Sequence, residues 1–248
     1  MGLLSLAIWV PIIWGAALIA FGRPGQENLV RWLALIGSLV ALVVTFPLYT
    51  AFHGGTAEMQ FVENIAWIDR FNINYHLGID GLSFWFVPLT AFVTVVVVIA
   101  SWEVIKIRVN QYYGSFLVLS GLMIGVFCSM DGMLFYVFFE ATLIPMYLII
   151  GIWGGPRRIY AAFKFFLYTL LGSLLMLVAL IYLYNASGSF DIRDWYALPL
   201  SMSEQTWLSS PSSPPLRSRS RCGRCTPGCR TSTSRPRQAA RPIWRPSC

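Results

Sequence analysis

Charge is what this sequence has least of: charged side chains make up 12% of its 248 residues, hydrophobic ones 56%, and the mean hydropathy is +0.63. A soluble domain carries roughly 25% charge, so this composition excludes a water-soluble globular fold and implies an integral membrane protein. Histidine is almost missing, with only His53 and His76. There is no Ser-His-Asp set, glycine-rich phosphate loop, H-E-x-x-H or iron–sulfur cysteine pattern, which excludes bond-making chemistry on this chain and leaves no expected metal- or cofactor-binding residue.

Cysteine is scarce in the body as well. Four of the five, Cys222, Cys225, Cys229 and Cys248, fall in a terminal stretch, and Cys128 reads as a small buried apolar residue. Cys222 and Cys225 make a C-x-x-C, but zinc would need a second spaced pair or nearby histidines, and no βαβ pattern supports a redox motif.

The terminal stretch also accounts for the basic balance. Nine of the eighteen Lys and Arg residues follow Leu208, where there is no Asp or Glu, so the formal charge of +7 becomes −2 for residues 1–208. No nucleic-acid partner follows for the membrane body. Residues 209–248 are rich in Ser, Pro and Arg without apolar periodicity, and are expected to be a disordered basic tail.

What the chain has in abundance is long apolar runs, at 3–21, 29–52, 82–102, 113–129, 132–151 and 161–184. Each approaches the roughly 20 residues that span a hydrocarbon core of ~30 Å, and a helix satisfies its own backbone there. The expected fold is all-α, a polytopic bundle of about six transmembrane helices over 1–208. The first run starts without a basic n-region and is expected to stay as a span, not to act as a cleaved signal. Arg23 and Arg31, Lys106 and Arg108, and Arg157 and Arg158 occupy every second connection. By the positive-inside tendency those connections are cytoplasmic and the N-terminus lies outside.

One acid stands inside a run. Glu140 sits in GMLFYVFFEATLIPMYLIIG, where a carboxylate costs on the order of 2.5–3.5 kcal/mol and must be hydrated, paired or protonated. The bland alternative is a neutral packing acid. Tyr136, Glu140, Leu143 and Tyr147 follow i, i+4, i+7, i+11 spacing, which sets Glu140 between two phenols on one face. Pro145 has no N–H for the carbonyl of Ala141, so a kinked, hydrated site is expected one residue beyond Glu140.

On the next helix Tyr160, Lys164 and Tyr168 form a second polar stripe, followed by Gly172 and Ser173, which permit close helix approach. At about 1.5 Å per residue, Glu140 lies ~12 Å from one boundary and Lys164 ~9 Å from the other, an axial separation that argues against a tight ion pair and leaves water to connect them. Lys164 is therefore either a second proton-relay residue or a side chain snorkelling to the interface. Burial favours a neutral carboxyl and an approaching ammonium favours a charged one, so a carboxyl so placed exchanges its proton when its partner moves.

The loop ENIAWIDRFNINYHLGIDGLSFWF is too ordered in composition to be a bare linker. Asp80, before an apolar run, is expected to cap the following helix; Trp67, Tyr75, Trp85 and Phe86 are expected in an interfacial aromatic layer. His76 is expected at the surface or interface, without a partner.

The segment FFEATLIPMYLIIGIWGG with RRIYAAFKFFLYTLLGSLLML after it closely resembles the subunit M (chain 4) family of proton-translocating NADH-quinone oxidoreductase, respiratory complex I. HLGIDGLSFWF resembles the helix-three entry of the antiporter-like subunits. The likeness covers residues 1 to about 208. It implies that Glu140 matches a glutamate essential for pumping and Lys164 a lysine of the following helix. It also implies partners among the other membrane subunits, above all the neighbouring antiporter-like ones, besides lipid, water and protons, in a bacterial inner membrane. NADH, FMN, Fe–S clusters and quinone would belong to other subunits.

The family pattern continues past Leu208 into a seventh helix with the partner lysine. Here Ser209, Ser210 and Pro211 match Phe-Leu-Ala codons read one base on, so the tail is expected to be out of frame and the chain to transport little alone. The alternatives are a subunit of a multisubunit cation/proton antiporter, and a non-transporting scaffold whose basic tail binds anionic lipid.

Overall fold

A computed structural model describes residues 2–22, 26–52, 59–68 and 73–196. The tail, His53, Arg23, Arg70 and the proposed reading-frame junction lie outside the described residues.

Apolar runs become helices because a chain in lipid has to bond its own backbone. The helices are α1 (Leu3–Phe21), α2 (Glu27–Ala51), α3 (Ser83–Ala100), α4 (Val109–Cys128), α5 (Gly132–Ala141), α6 (Leu143–Trp153), α7 (Arg158–Ser187) and the short α8 (Ile192–Tyr196). Counting α5 and α6 as the one stretch Gly132–Trp153, six are long and apolar enough to cross a membrane. The helical bundle expected from the sequence is present.

α1 and α4 make the tightest pair. A side chain on Gly15 would come within 2.6 Å of the Gly114 carbonyl oxygen, and one on Gly114 within 2.7 Å of the Gly15 carbonyl oxygen. Lipid tails are as apolar as leucine, so helices in a membrane associate through such close backbone contact and not through a hydrophobic drive.

The loop after α2 folds into a two-stranded antiparallel hairpin, β1 (Gln60–Ile68) and β2 (Ile73–Ile79), an addition to the all-helical expectation. Glu63 stands opposite Leu77 and Asn64 opposite His76. β2 buries Leu77 and Ile79 against Leu4, Ile8, Ile124, Cys128, Leu134 and Phe138, so the hairpin is the lid of the larger core. Cys128 is buried as expected.

Connections alternate between two ends of the bundle. At one end the hairpin, the N-terminus of α1, residues 129–131 and the loop before α8 meet: Met130 N–H donates to the His76 carbonyl at 2.9 Å and Gly132 N–H to the Phe190 carbonyl at 2.8 Å. At the other, Asn110 Nδ2 donates to the Gly22 carbonyl at 3.1 Å, Arg31 to the Ile105 carbonyl at 3.1 Å, and Trp153 Nε1 to the Ile107 carbonyl at 2.8 Å. The basic connections therefore share one face of the bundle, as the charge alternation requires.

Candidate functional site

The stretch that carries Glu140 is broken. Helix α5 ends at Ala141, Thr142 forms a turn, and α6 starts at Leu143. Thr142 N–H still donates to the Phe138 carbonyl at 3.1 Å and its hydroxyl to the Phe139 carbonyl at 2.7 Å. Pro145 has no N–H for the Ala141 carbonyl, so the ladder is interrupted where the sequence places the defect. Pro145 and Thr142 are buried.

Glu140 is half-buried at this break. Its Oε2 is buried and takes no hydrogen bond from any described group, and neither ion pair among the described residues includes it. A carboxyl oxygen without a donor is the costliest kind of polar burial. Tyr136, one turn earlier and half-buried, lies near Glu140 and beside the Ser173 hydroxyl of α7. Tyr147, half-buried on α6, packs its ring against Phe166 of α7, centroids 5.6 Å apart. Tyr136 and Tyr147 thus both meet α7.

Lys164 does not join them. α7 buries Ala162, Thr169, Gly172, Ser173, Ala179 and Leu180, whereas Lys164 is exposed together with Tyr160 and Tyr168. The polar groups of α7 on the packed side are Thr169 and Ser173, both at 2% exposure or less. The tyrosine–lysine stripe drew attention by its charge, while the hydroxyls that face inward are small enough to pass for spacing residues. Gly172 and Ser173 are in the close approach expected of them.

Two expectations at the hairpin end are corrected. Asp80 does not cap α3 with its carboxylate: the helix starts three residues after it, at Ser83 with Leu82 at the cap, the Asp80 carbonyl receives Phe84 N–H at 2.9 Å, and its Oδ1 is taken by Gly81 N–H at 2.6 Å. The intervening turn at 81–82 moves the carboxylate away from the helix N–H groups it would have reached. The side-chain cap among these helices is Asp131, 3% exposed, whose Oδ1 accepts Met133 N–H at 2.8 Å and Leu134 N–H at 3.2 Å, while Oδ2 accepts Asn74 N–H at 3.2 Å from β2. Burial raises its pKa above the usual carboxylate value, opposed by these three N–H groups and aided by the Asp191 charge. His76 is not solitary either, since its Nδ1 lies 3.3 Å from Asp191 Oδ2. Trp67 and Trp85 are exposed near this end, in keeping with an aromatic layer.

A second carboxylate holds the lid. Glu63 accepts Leu4 N–H at 3.0 Å, Ser5 N–H at 3.4 Å, Gly2 N–H at 3.2 Å and the Ser5 hydroxyl at 2.6 Å. These are the orphan donors of the α1 N-terminus, capped from a strand far along the chain.

Residues 28–129 match the family model for the amino terminus of NADH-ubiquinone oxidoreductase chain 4, and residues 129–210 the model for NADH:quinone oxidoreductase/Mrp antiporter transmembrane segments. Subunit M of NADH-quinone oxidoreductase from Rhodobacter capsulatus is 48% identical over 193 residues, which is 77% of this chain and 37% of the relative. Chain 4 of NADH-ubiquinone oxidoreductase from Arabidopsis thaliana is 40% identical over 206 residues, 83% of this chain and 41% of the relative. The chain thus spans about two fifths of the length of the curated relatives it matches. Among solved structures, respiratory complex I from Thermus thermophilus with bound NADH holds a chain 28% identical, with a TM-score of 0.74 over 86% of this chain and 43% of that one. The Mrp complex of a Dietzia species shares the fold, with a TM-score of 0.74 at 18% identity over 87% of this chain and 23% of that one.

Proposed function

Because this chain belongs to the subunit M (chain 4) family of NADH-quinone oxidoreductase, we propose that its membrane body forms part of a proton path whose driving electron transfer takes place in other subunits. NADH, flavin, Fe–S clusters and quinone are on those subunits in this reading, and the chain works beside other membrane subunits in a bacterial inner membrane, with the hairpin end and the N-terminus outside. The observation that carries the proposal is the buried, donorless Oε2 of Glu140 beside an interrupted helix.

Glu140 holds the proton. Its neutral form suits the apolar surroundings, and its charged form becomes tolerable when a cation or ordered water supplies the donor that Oε2 lacks. The released Ala141 carbonyl offers an acceptor to that water, and the Tyr136 phenol with Ser173 extends the hydrogen-bonding surface toward α7. Tyr147 shapes the other side of the break. Lys164 enters this relay only if the exposed face of α7 is covered.

Glu140→Gln in a full-length homologue keeps the shape and removes the titrating group. Assembly and NADH oxidation persist, and proton uptake into inverted vesicles falls at least tenfold, read with a pH-sensitive dye. Undiminished uptake by the Gln variant overturns the proposal. The antiporter alternative is favoured by the second family model and the shared Mrp fold; it predicts uptake that requires sodium and continues without NADH.

A further inference from the structure

Three pieces of backbone lie side by side at the hairpin end. Met130 N–H donates to the His76 carbonyl at 2.9 Å, Gly132 N–H to the Phe190 carbonyl at 2.8 Å and Ile192 N–H to the Met130 carbonyl at 3.2 Å. Leu77 pairs with Ser129, and Asp131 with Asp191, as antiparallel bridges. Residues 129–131 thus run between β2 and residues 190–192, and they join the hairpin, the start of α5 and the segment that leaves α7. Each step across this joint rests on one or two backbone bonds, so a side-chain contact that spans it bears directly on how firmly it is closed.

His76 supplies that contact. Its Nδ1 lies 3.3 Å from Asp191 Oδ2, with the two side chains 13% and 30% exposed, so β2 grips the third piece of the joint across the middle one. Asp191 Oδ1 is already taken by Arg193 N–H at 2.9 Å, which fixes the carboxylate. The other charged groups here have separate engagements. Asp131, in the middle piece, accepts Asn74, Met133 and Leu134 N–H and faces Asp191 across the bridge. Asp194 accepts the Ser189 hydroxyl, Arg193 is exposed, and Glu63 is bound to the α1 N-terminus. Opposite His76 on β1 stands the uncharged Asn64.

Histidine is the side chain whose ordinary titration falls between about pH 5 and 8. As a cation, His76 makes a charge-assisted contact roughly twice as strong as a neutral one and offsets the two carboxylates that face each other beside it. As a neutral ring it leaves Asp131 and Asp191 to repel. We propose that His76 and Asp191 form a pH-operated clamp, which draws the hairpin and the hairpin-side ends of α5 and α7 together in acid and loosens them as pH rises through histidine's ordinary range. The clamp requires no transport and stands apart from the role given to Glu140. With the hairpin end outside, acid accumulating there tightens it.

The test follows amide hydrogen exchange by mass spectrometry in the full chain, held in neutral phosphatidylcholine nanodiscs and corrected at each pH for the unprotected rate. Protection of residues 129–134 and 189–194 should fall about fivefold between about pH 5.5 and about pH 8.5. Protection around Leu117, buried in α4, should stay constant and report that each variant is folded. His76→Gln and Asp191→Asn should show the low level at both pH values, and His76→Lys, a cation throughout, the high level at both. No fall in the parent chain, or a fall that persists in His76→Gln, overturns the proposal. So does a fall that Asp131→Asn removes with His76 in place, which would assign the response to Asp131.

Discussion

Helix α4 is the least apolar of the six spans among the described residues and the most enclosed, whereas α7 is among the most apolar and the least enclosed. Hydropathy reports readiness to enter lipid, and small residues report readiness to meet another helix. α4 carries Gly114, Ser115, Ser120, Gly121 and Gly125 on its buried side and is held by α1, α2 and α3. In the α5–α7 half the buried side of α7 is built mostly of small residues, Ala162, Thr169, Gly172, Ser173 and Ala179. The first half and its hairpin end pair their carboxylates: half-buried Glu63 collects N–H groups from the α1 N-terminus, and buried Asp131 collects them from the start of α5 and from β2. The second half leaves Glu140 Oε2 without a donor and Lys164 without an anion. The contrast concerns the carboxylates: Glu63 and Asp131 are bonded and Glu140 Oε2 is not, although Arg31 Nε and the Tyr113 and Ser120 hydroxyls are also buried without a bond among the described residues.

The largest effect expected from breaking this contrast is at the α1–α4 contact. Gly114→Leu would place a branched side chain where the Gly15 carbonyl oxygen stands 2.7 Å from a built Cβ, and neither backbone can move without separating the helices. A loss of about 3 kcal/mol or more follows from overpacking, enough to prevent folding in detergent. Heating can be followed through exposure of the Cys128 thiol, buried in the native fold, after the tail cysteines are replaced by Ser.

Glu63→Ala comes next. It removes the acceptor of three N–H groups and a hydroxyl at the α1 N-terminus and should cost about 2 kcal/mol. The hairpin should become open to protease while the helices of the α5–α7 half stay protected. Equal loss of protection in both halves would break the comparison.

Asp131→Ala should cost about 1 kcal/mol through the lost cap. Its pH dependence is more telling. The folded-state value lies above the unfolded one, so the folded chain binds this proton more tightly and the associated stability is full at low pH and lost as pH rises through the raised value. Asp131→Asn keeps an acceptor for Met133 and Leu134 and should flatten that decline above the ordinary carboxylate range. An unaltered pH profile would show that the three N–H groups outweigh burial.

The contrast also explains what could be read from the chain. Six spans, the lone acid and the break at Pro145 are local properties: a run length, one residue type, one missing N–H. The Asp131 cap was equally local, an Asp before Gly132 at the start of an apolar run, but Asp80 offers the same signal and the turn at 81–82 that disqualifies it has no marker. The hairpin was obscured because β1 is mostly exposed and mixes Glu63 and Asn64 with Val62, Ile65 and Trp67, so neither face is consistently apolar. The His76–Asp191 contact and the Glu63 cap join residues far apart in sequence, and nothing in the neighbourhood of either residue encodes its partner. On α7 the stripe with the largest polar groups, Tyr160, Lys164 and Tyr168, is the one that folding leaves outside, and its spacing alone does not say so.

The smallest expected effect is on the fold around Glu140, and its sign is what matters. In the first half, removing a carboxylate strips donors of their acceptor and costs stability. In the second half Oε2 has no donor to strand, so Glu140→Leu removes the expense of a buried unsatisfied group and replaces it with apolar volume of similar size. The isolated chain should be unchanged or up to about 1 kcal/mol more stable, measured by the same Cys128 exposure, while the corresponding full-length variant fails to pump. A clear loss of stability would mean that Glu140 is held by a group supplied within this chain, and the two halves would then differ in degree only.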